Sequence, residues 1–348
     1  MREVITKLKP LLPVIAFFAG FIWDALTIGR QVRPFDLLVL SGYLLAAGML
    51  LWWLGYRNSL ARPATPLQQR LEQWPYLLMQ FLFGGLFSAL FIFYIKSASH
   101  LLALFWCLGL ALLLIGNEFI SSKYRRFTLT WALFGLCAML LFNFLLPHLV
   151  GSIHFFWFYL STLAGAGLAY GLRRITPGQP GRMGPVWLIA SVLALAYPLD
   201  IIPPVPLVKR EVEVGRNLQK VEGDYQITQD RAAPWKFWLR WQNRIHLPAG
   251  ERLYCVSSVF APEGLNTRLY HRWQYRHPQH GWQSMERMGF GLEGGRDGGF
   301  RGYTYKQNVQ PGVWRVSVET EHGRTVAVHK FLVKPGETGL PGSIVTIR

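Results

Sequence analysis

Arginine and aromatic side chains recur together in the last third of the sequence. Side chains alternate between the two faces of a strand, so Arg301, Tyr303 and Tyr305 are predicted to share one strand face, and Arg272 and Arg276 to share a face of another strand. Arginine binds carboxylate and phosphate groups through paired hydrogen bonds and stacks on aromatic rings. These five residues are the predicted ligand-binding set, for an anionic ligand. The alternative is that the rings belong to a core and the arginines to a solvated rim.

A second polar set falls near the ends of apolar segments in the first two thirds of the chain: Asp24, Asp36, His148, His154 and Asp200. Carboxylate and imidazole groups bind zinc or copper and carry out acid–base chemistry. However, no His-x-x-x-His or similar spacing fixes a geometry, so no metal site is predicted. The alternative is that helix ends and loops simply tolerate histidine.

Other patterns point away from catalysis. Cys107, Cys137 and Cys255 are scattered without a Cys-x-x-Cys pair, so neither a disulfide framework nor a zinc site is expected. The glycine-rich run GLEGGRDGGF lies between predicted strands rather than at the start of a helix, which favours a hairpin tip over a phosphate loop. We find no nucleophile with a matching base. The chain is therefore predicted not to be an enzyme and to bind no cofactor.

The second polar set lies near the ends of apolar segments that are long enough to cross a membrane. A helix needs about 20 apolar residues to cross a hydrocarbon layer of about 30 Å. Seven predicted spans meet this need, at approximately 11–28, 35–56, 76–95, 100–120, 128–147, 153–172 and 185–205. The first segment has no cleavage site and is followed at once by another span, so it is predicted to be a membrane span rather than a signal peptide.

The distribution of Lys and Arg in the short loops predicts the orientation. Four loops on the N-terminal side carry twelve of these residues, whereas the opposite loops carry only Arg30, Arg33 and Lys96. Basic loops resist translocation, so the N-terminus is predicted to be cytoplasmic. An odd number of spans then places residues 207–348 on the outer side.

Residues 207–348 have a different composition. They hold 21 of the 36 Lys and Arg and 13 of the 19 Asp and Glu, an excess of eight positive charges that would attract anionic envelope material. From residue 233 onward, period-two runs rich in β-branched and aromatic residues alternate with Gly, Pro and Asn. The predicted architecture is a seven-span helical domain at 1–206, a linker at 207–232 and an all-β, immunoglobulin-like sandwich at 233–348.

The strand-rich part resembles a known family, the domain of unknown function 2914. The likeness covers about residues 250–335 and rests on the runs LYCVSSVFAP, LYHRWQYR, GFRGYTYKQN and PGVWRVSVETEHGRTVAVHKFLV. The positions that carry it are His271, Trp273, Arg301, Tyr303, Gly312, Trp314, Val316, Phe331 and Val333. The preceding spans resemble the domain of unknown function 5924. These resemblances imply a bacterial inner membrane protein with a periplasmic domain, and they imply no activity.

Three classes of function remain open. The first is a membrane-anchored module that binds an anionic envelope ligand or another envelope protein. The second is a membrane enzyme or transporter that acts on an envelope lipid or glycan through the outer Asp and His residues. The third is a structural or assembly factor. Membrane lipid is an expected partner of the spans, and nucleic acid is not expected.

Overall fold

The computed structural model describes residues 21–29, 32–60, 74–118, 126–230, 243–261, 268–291, 293–294, 299–336 and 342–347. The chain divides into a helical unit, up to Pro206, and a strand unit, from Leu207. Two short segments of the earlier chain, Ser97–Leu101 and Gly151–Ile153, are counted with the strand unit.

Seven helices lie in the described part of the helical unit: α1 (21–27), α2 (Pro34–Ser59), α3 (Trp74–Ser97), α4 (Leu101–Glu118), α5 (Phe127–Val150), α6 (Phe155–Ile175) and α7 (Gly184–Ala196). Helices α2, α3, α5 and α6 are long and apolar enough to cross a membrane, by length and composition. Helices α4 and α7 are apolar but shorter. Several membrane-length helices are thus confirmed, whereas the full count of seven spans stays a prediction.

The last predicted span differs in the structure. The prediction ran over 185–205, but α7 has only 13 residues, which rise about 20 Å at 1.5 Å per residue. Pro198 follows the helix closely, and three more prolines come before residue 207. Proline lacks the amide hydrogen and its ring clashes with the preceding turn, so the helix cannot extend through this run. Of the first predicted span, 11–28, residues 11–20 lie outside the described part of the chain.

Close packing of α5 against α6 depends on small residues. A Cβ atom on Gly165 would lie 2.5 Å from the backbone nitrogen of Met139, so no larger residue fits there. Ala169, one turn further on the same face, is fully buried. Small residues at this spacing let helix backbones approach within a membrane. Helix α5 is also the most buried of the four described membrane-length helices.

The strand unit contains β1 (Val208–Val221), β2 (Asp224–Asp230), β3 (Asn243–Leu247), β4 (Leu253–Phe260), β5 (Leu269–His277), β6 (Gly281–Phe290), β7 (Glu293–Gly294), β8 (Phe300–Lys306), β9 (Gly312–Thr320), β10 (Thr325–Pro335) and β11 (Gly342–Ile347). One sheet has the order β11-β2-β1-β4-β8-β7, and the other has the order β3-β10-β9-β5-β6. Neighbouring strands are antiparallel except β3 and β10, which are parallel. An all-β region of two sheets is therefore confirmed.

One core joins the two sheets. Val214 and Cys255 of the six-stranded sheet pack in the same cluster as Trp273, Trp314 and Phe331 of the five-stranded sheet. Gly302 on β8 makes room in this core, because a Cβ atom there would lie 2.0 Å from the ring of Phe290. Since the inner faces meet, the outer faces of the two sheets point in opposite directions.

The predicted linker at 207–232 is wrong, because most of this segment is strand. The first half of β1 pairs with β4. Its second half pairs with β2 from Arg216 onward, with an irregularity between Arg216 and Gln219. Apolar residues alternate along β1, with Val212 and Val214 buried in the core. Lys and Glu between them made the segment look like a polar connection in the sequence.

Candidate functional site

Seven basic side chains lie on the outer face of the five-stranded sheet, and we call them the basic face: Arg244, Arg272, Arg276, Arg287, Arg315, Lys330 and Lys334. Their placement follows from alternation, because the inward positions between them, such as His271, Trp273 and Trp314, are buried. Among the described residues of this face, Glu319 is the one acid. The face therefore has a strong positive excess.

Glu319 holds two of these arginines in place. Its carboxylate is nearly buried, and Oε2 accepts a hydrogen bond from Nε of Arg272 at 3.1 Å. Nε of Arg287 lies 3.6 Å from the same oxygen. The guanidinium of Arg287 also stacks over Tyr270, with 4.0 Å between Cζ and the ring centroid. A shared carboxylate and a ring beneath the guanidinium fix both side chains before any ligand arrives.

Arg315 is fixed in a similar way nearby. Its Nε donates to Oε1 of Gln274 at 2.7 Å, and its Cζ lies 4.4 Å from the ring centroid of Trp282. Burial lowers the pKa of Arg315, and the charge of Glu319 opposes the shift while that of Arg272 adds to it. These interactions place Arg315 in the same charged cluster as Arg272. Such a cluster can bind phosphate or carboxylate groups.

The second predicted group, Arg301, Tyr303 and Tyr305, lies together on β8 at the outer face of the six-stranded sheet. Arg301 forms an ion pair with Asp224 of β2 at 2.5 Å, and its side chain is 18% exposed. Tyr303 packs against Tyr225 with 5.6 Å between ring centroids. Tyr303 and Tyr305 are both more than 40% exposed.

The five predicted ligand-binding residues therefore form two groups rather than one. Arg272 and Arg276 lie on the outer face of one sheet, and Arg301, Tyr303 and Tyr305 lie on the outer face of the other. The core separates the two groups. Sequence alternation predicted the members of each group correctly but not which sheet each strand joins.

Sequence reasoning missed five members of the basic face: Arg244, Arg287, Arg315, Lys330 and Lys334. Each lies at an alternate position of its strand, so a period-two reading of each strand could have found it. The register between neighbouring strands brings these residues together on one face. For example, Arg272 lies opposite Arg287, and Arg315 lies opposite Lys330. That register is not visible in a single sequence.

A polar network lies between the sheets, around His271. Its Nε2 is 2.9 Å from Oγ of Ser257, and its Nδ1 is 2.9 Å from Oγ1 of Thr304. The indole nitrogen of Trp273 donates to the same Thr304 oxygen at 3.1 Å. Burial lowers the pKa of His271 to about 3, so the ring is neutral. Because His271 is fully buried, no substrate can reach this Ser–His pair.

In the helical unit, two of the five predicted outer-edge residues line one cavity of about 1080 Å³. Oδ2 of Asp24 accepts a hydrogen bond from Oγ of Ser88 on α3 at 2.6 Å. Oδ2 of Asp36 accepts one from the backbone amide of Arg33 at 3.1 Å, at the start of α2. Asp36 therefore has a structural role, whereas Asp24 presents its carboxylate beside a hydroxyl.

His148, His154 and Asp200 do not line this cavity. His148 lies in the last turn of α5. His154 caps α6, where its Nδ1 accepts from the amide of Phe156 at 3.3 Å. Asp200 follows α7 with a φ of 56°. Within the described residues, no three His, Cys, Asp or Glu side chains lie close enough together to hold a metal ion.

A family model matches residues 266–333, and its description is "Protein of unknown function (DUF2914)". The match confirms the resemblance for this stretch, while the likeness of the helices to family 5924 stays a prediction. Most positions that carry the likeness, including His271, Trp273, Trp314 and Phe331, are buried. The family pattern therefore describes a core more than a binding surface.

Two solved structures align with the chain at low sequence identity. A β-glucosidase from Listeria innocua in complex with gluconolactone aligns at 13% identity and a TM-score of 0.19, over 36% of this chain and 16% of its own. The alkylpurine DNA glycosylase AlkC from Pseudomonas fluorescens, bound to DNA with an abasic site analogue, aligns at 10% identity and a TM-score of 0.17, over 86% and 96% of the two chains. At these TM-scores neither supports an argument about fold or function. No curated protein matches the chain.

Proposed function

We propose that this chain is a bacterial inner membrane protein whose periplasmic, immunoglobulin-like sandwich binds an anionic component of the cell envelope through the basic face. The helices anchor the domain, with the N-terminus in the cytoplasm. The ligand carries phosphate or carboxylate groups, and an acidic surface of another envelope protein offers the same chemistry.

The charge of the basic face carries the proposal. Seven basic side chains share one sheet face with Glu319, and Arg272, Arg287 and Arg315 are held by a carboxylate, an amide or an aromatic ring. Ordered side chains lose less conformational entropy when a ligand binds, which favours binding. A row of this kind is suited to a repeating or extended anion.

Two observations support the membrane placement. Four described helices have the length and composition of spans. In addition, the short loops on the N-terminal side of the predicted spans carry twelve Lys and Arg and the opposite loops carry three, which favours a cytoplasmic N-terminus and, with an odd number of spans, an outer position for residues 207–348.

The test is binding of the purified full-length protein to vesicles of phosphatidylglycerol and of phosphatidylcholine, measured by co-sedimentation at increasing salt. We expect binding to the anionic vesicles that weakens with salt, because exposed charges are screened beyond about 8 Å at 0.15 M. The double variant Arg276→Ala/Lys330→Ala removes two exposed charges of the basic face and should weaken this binding severalfold.

A matched control removes two charges from the other sheet. Arg252 and Lys220 are exposed and stack on Tyr305 and Tyr225. Arg252→Ala/Lys220→Ala should leave binding unchanged if the basic face is the site. Equal losses in both double variants would mean non-specific attraction to a basic protein, and the basic face would then not be the site.

A membrane enzyme or transporter acting on an envelope lipid or glycan is the second candidate. One observation favours it, namely that Asp24 and Asp36 line the same cavity. Asp36 is engaged in capping α2, and no histidine is among the described residues that line the cavity. Asp24 is then the one described lining carboxylate without a capping role, so binding by the basic face is the better supported activity.

A further inference from the structure

We propose that the cavity of the helical unit binds a membrane-soluble organic cation, with the positive charge beside the carboxylate of Asp24. The ligand has a bulky apolar body and a single charge. This site is separate from the basic face, which attracts the opposite charge, and it goes beyond the proposed function. Three features of the cavity support it, namely an excess of negative charge, aromatic walls and polar groups elsewhere that are neutral.

The carboxylate of Asp24 lies beside the middle of a membrane-length helix. Its Oδ2 accepts a hydrogen bond from Oγ of Ser88 at 2.6 Å, and Ser88 lies nine residues before the end of α3 at Ser97. Nine residues of helix correspond to a rise of about 14 Å. An ionisable group at this depth is costly, and such groups usually face a charged partner or a cavity. Asp24 lines the cavity.

Negative charge is in excess by one unit among the described residues of the lining. Arg33 and Asp36 also line the cavity, and they lie together at the start of α2, where Oδ2 of Asp36 accepts a hydrogen bond from the backbone amide of Arg33 at 3.1 Å. Their opposite charges offset each other. The described partner of the Asp24 side chain is the Ser88 hydroxyl, which supplies a hydrogen bond but no charge. A bound cation supplies the charge that balances Asp24.

Aromatic rings form much of the remaining wall, and they come from α1, α2 and α3: Phe21, Trp23, Phe35, Tyr43, Phe81 and Phe93. The face of an aromatic ring attracts a cation, and cages of such rings recognise quaternary ammonium groups. The same rings offer apolar surface to the body of a ligand. A carboxylate among aromatic rings therefore favours a cation with an apolar body over a neutral molecule of the same shape.

Small residues of α3 leave room for the ligand near the carboxylate. The ring of Tyr43 lies beside Gly85, where a Cβ atom would be 2.6 Å from it. Gly85 and Ser88 are three residues apart, so the Tyr43 ring and the Asp24 carboxylate contact α3 about one helical turn from each other. The cavity volume of about 1080 Å³ is at the upper end of the ~300–1,000 Å³ usual for ligand pockets, which suits a ligand with several rings.

The amide side chains of the lining carry no charge. Gln80 of α3 and Asn117 of α4 both line the cavity, and Nδ2 of Asn117 donates to the backbone oxygen of Gln80 at 3.1 Å. Gln80 lies eight residues before Ser88, a rise of about 12 Å along α3. These amides can bind a polar substituent of the ligand, but the selection for positive charge depends on Asp24.

The test is binding of tetraphenylphosphonium to the purified full-length protein in a non-ionic detergent, measured by equilibrium dialysis against protein-free micelles. This probe is a permanent cation with four apolar rings. We expect saturable binding by the wild type. Triphenylphosphine oxide has three of the same rings but no net charge, so an equal concentration of it should not displace the cation.

Variants locate the charge and the wall of the site. Asp24→Asn should lower the affinity for tetraphenylphosphonium by about tenfold, because it removes an opposite charge a few ångströms away, whereas Asp24→Glu should retain most of the affinity. Val39→Trp should prevent binding, because Val39 lines the cavity. Leu38→Trp is the matched control, since Leu38 is 69% exposed on the same helix and is not among the described lining residues.

Binding by the wild type that does not exceed that of the micelles would overturn the proposal, as would displacement by the neutral oxide or an unchanged affinity in Asp24→Asn. Equal losses in Leu38→Trp and Val39→Trp would also overturn it, because the probe would then lie on the exposed helix surface. If either Asp24→Asn or Val39→Trp fails to fold, the other decides. Arg276→Ala/Lys330→Ala should not lower cation binding, so this proposal and the proposed function fail separately.

Discussion

His271 shows how a residue with catalytic chemistry can serve the fold. Both of its ring nitrogens are bonded, to Ser257 and Thr304, and Phe290 packs on its ring with 4.2 Å between centroids. His329 is a second inward-facing histidine, on β10 opposite Val316. Burial lowers the pKa of His271 to about 3 and is the main cause that lowers that of His329 to about 4.

The stability of the strand unit should therefore depend on pH. A histidine with a folded-state pKa below its unfolded value of about 6.5 binds its proton more readily when unfolded. Its contribution is complete above about pH 6.5 and is lost as the pH falls towards 3–4, at up to about 1.4 kcal/mol per pH unit for each histidine. Urea unfolding of residues 207–348 between pH 4 and pH 8 measures this slope.

His271→Gln is the informative variant, because it removes one of the two titrating groups. The acid slope should be shallower by up to about 1.4 kcal/mol per pH unit, whatever the cost of the substitution at neutral pH. An unchanged slope in His271→Gln would show that His271 is not buried in a neutral form.

Arg301 was predicted to contact a ligand, and its ion pair with Asp224 now suggests a different effect for its removal. Both side chains are partly buried, and the pair joins β8 to β2. Arg301→Ala should lower the free energy of unfolding by about 1 kcal/mol, above the ~0.5 kcal/mol typical of surface substitutions. The measurement is urea unfolding. Arg276→Ala, on the exposed basic face, is the control and should change stability little.

At the scale of elements, sequence periodicity located most helices and strands but not all of their limits. The apolar runs at 35–56 and 128–147 correspond to α2 and α5, because apolar length alone sets such helices. The span predicted from hydropathy at 185–205 is longer than α7, because prolines end the helix although the composition stays apolar. Strand β1 was missed because its Lys, Arg and Glu alternate with the valines that enter the core.

The site was less predictable than the elements. Alternation correctly put Arg272 and Arg276 on one face, because strand geometry is local. The pairing of β5 with β6 and β9, which joins Arg287 and Arg315 to them, depends on contacts distant in sequence. The cavity around Asp24 could not be foreseen for the same reason, since it requires α1, α2, α3 and α4 together.

The role of β1 gives a test with two fragments. Residues 207–348 should fold with a sheet-dominated circular dichroism spectrum and unfold cooperatively. Residues 233–348, the limits predicted from the sequence, lack β1 and β2. Their loss would remove the partner strand of β11 and one of the two partners of β4, and it would expose the core near Cys255. This shorter fragment should not unfold cooperatively. Equal stability of the two would mean that β1 and β2 are dispensable.

At the scale of the whole molecule, topology is the property that the proposals need most. Helix α7 alone rises only about 20 Å, so the chain from Tyr197 to Pro206 must complete the crossing if the strand unit is outside. A reporter enzyme active only outside the cytoplasm should be active after Arg348. It should be silent after Arg182 and in the loop at 57–74.

Reporter activity in both the Arg182 and the Arg348 fusions, or in neither, would show that α7 does not cross the membrane. The strand unit would then lie on the same side as the loop between α6 and α7. A silent fusion after Arg348 would also remove the periplasmic ligand from consideration, because the basic face would be in the cytoplasm.

The pairing of strands near the start of the strand unit with strands near its end affects the order in which the domain folds. Ile245 of β3 pairs with Val333 of β10, and Thr228 of β2 pairs with Ile344 of β11. Contacts between residues so far apart in the chain form slowly, because the loop must close before the contact can stabilise it. Under the proposed topology, β2 and β3 would remain without these partners until the last strands had been synthesised and exported. During that interval the unpaired strands would be exposed to chaperones and proteases, so the yield of the domain would depend on the kinetics of export as well as on its final stability.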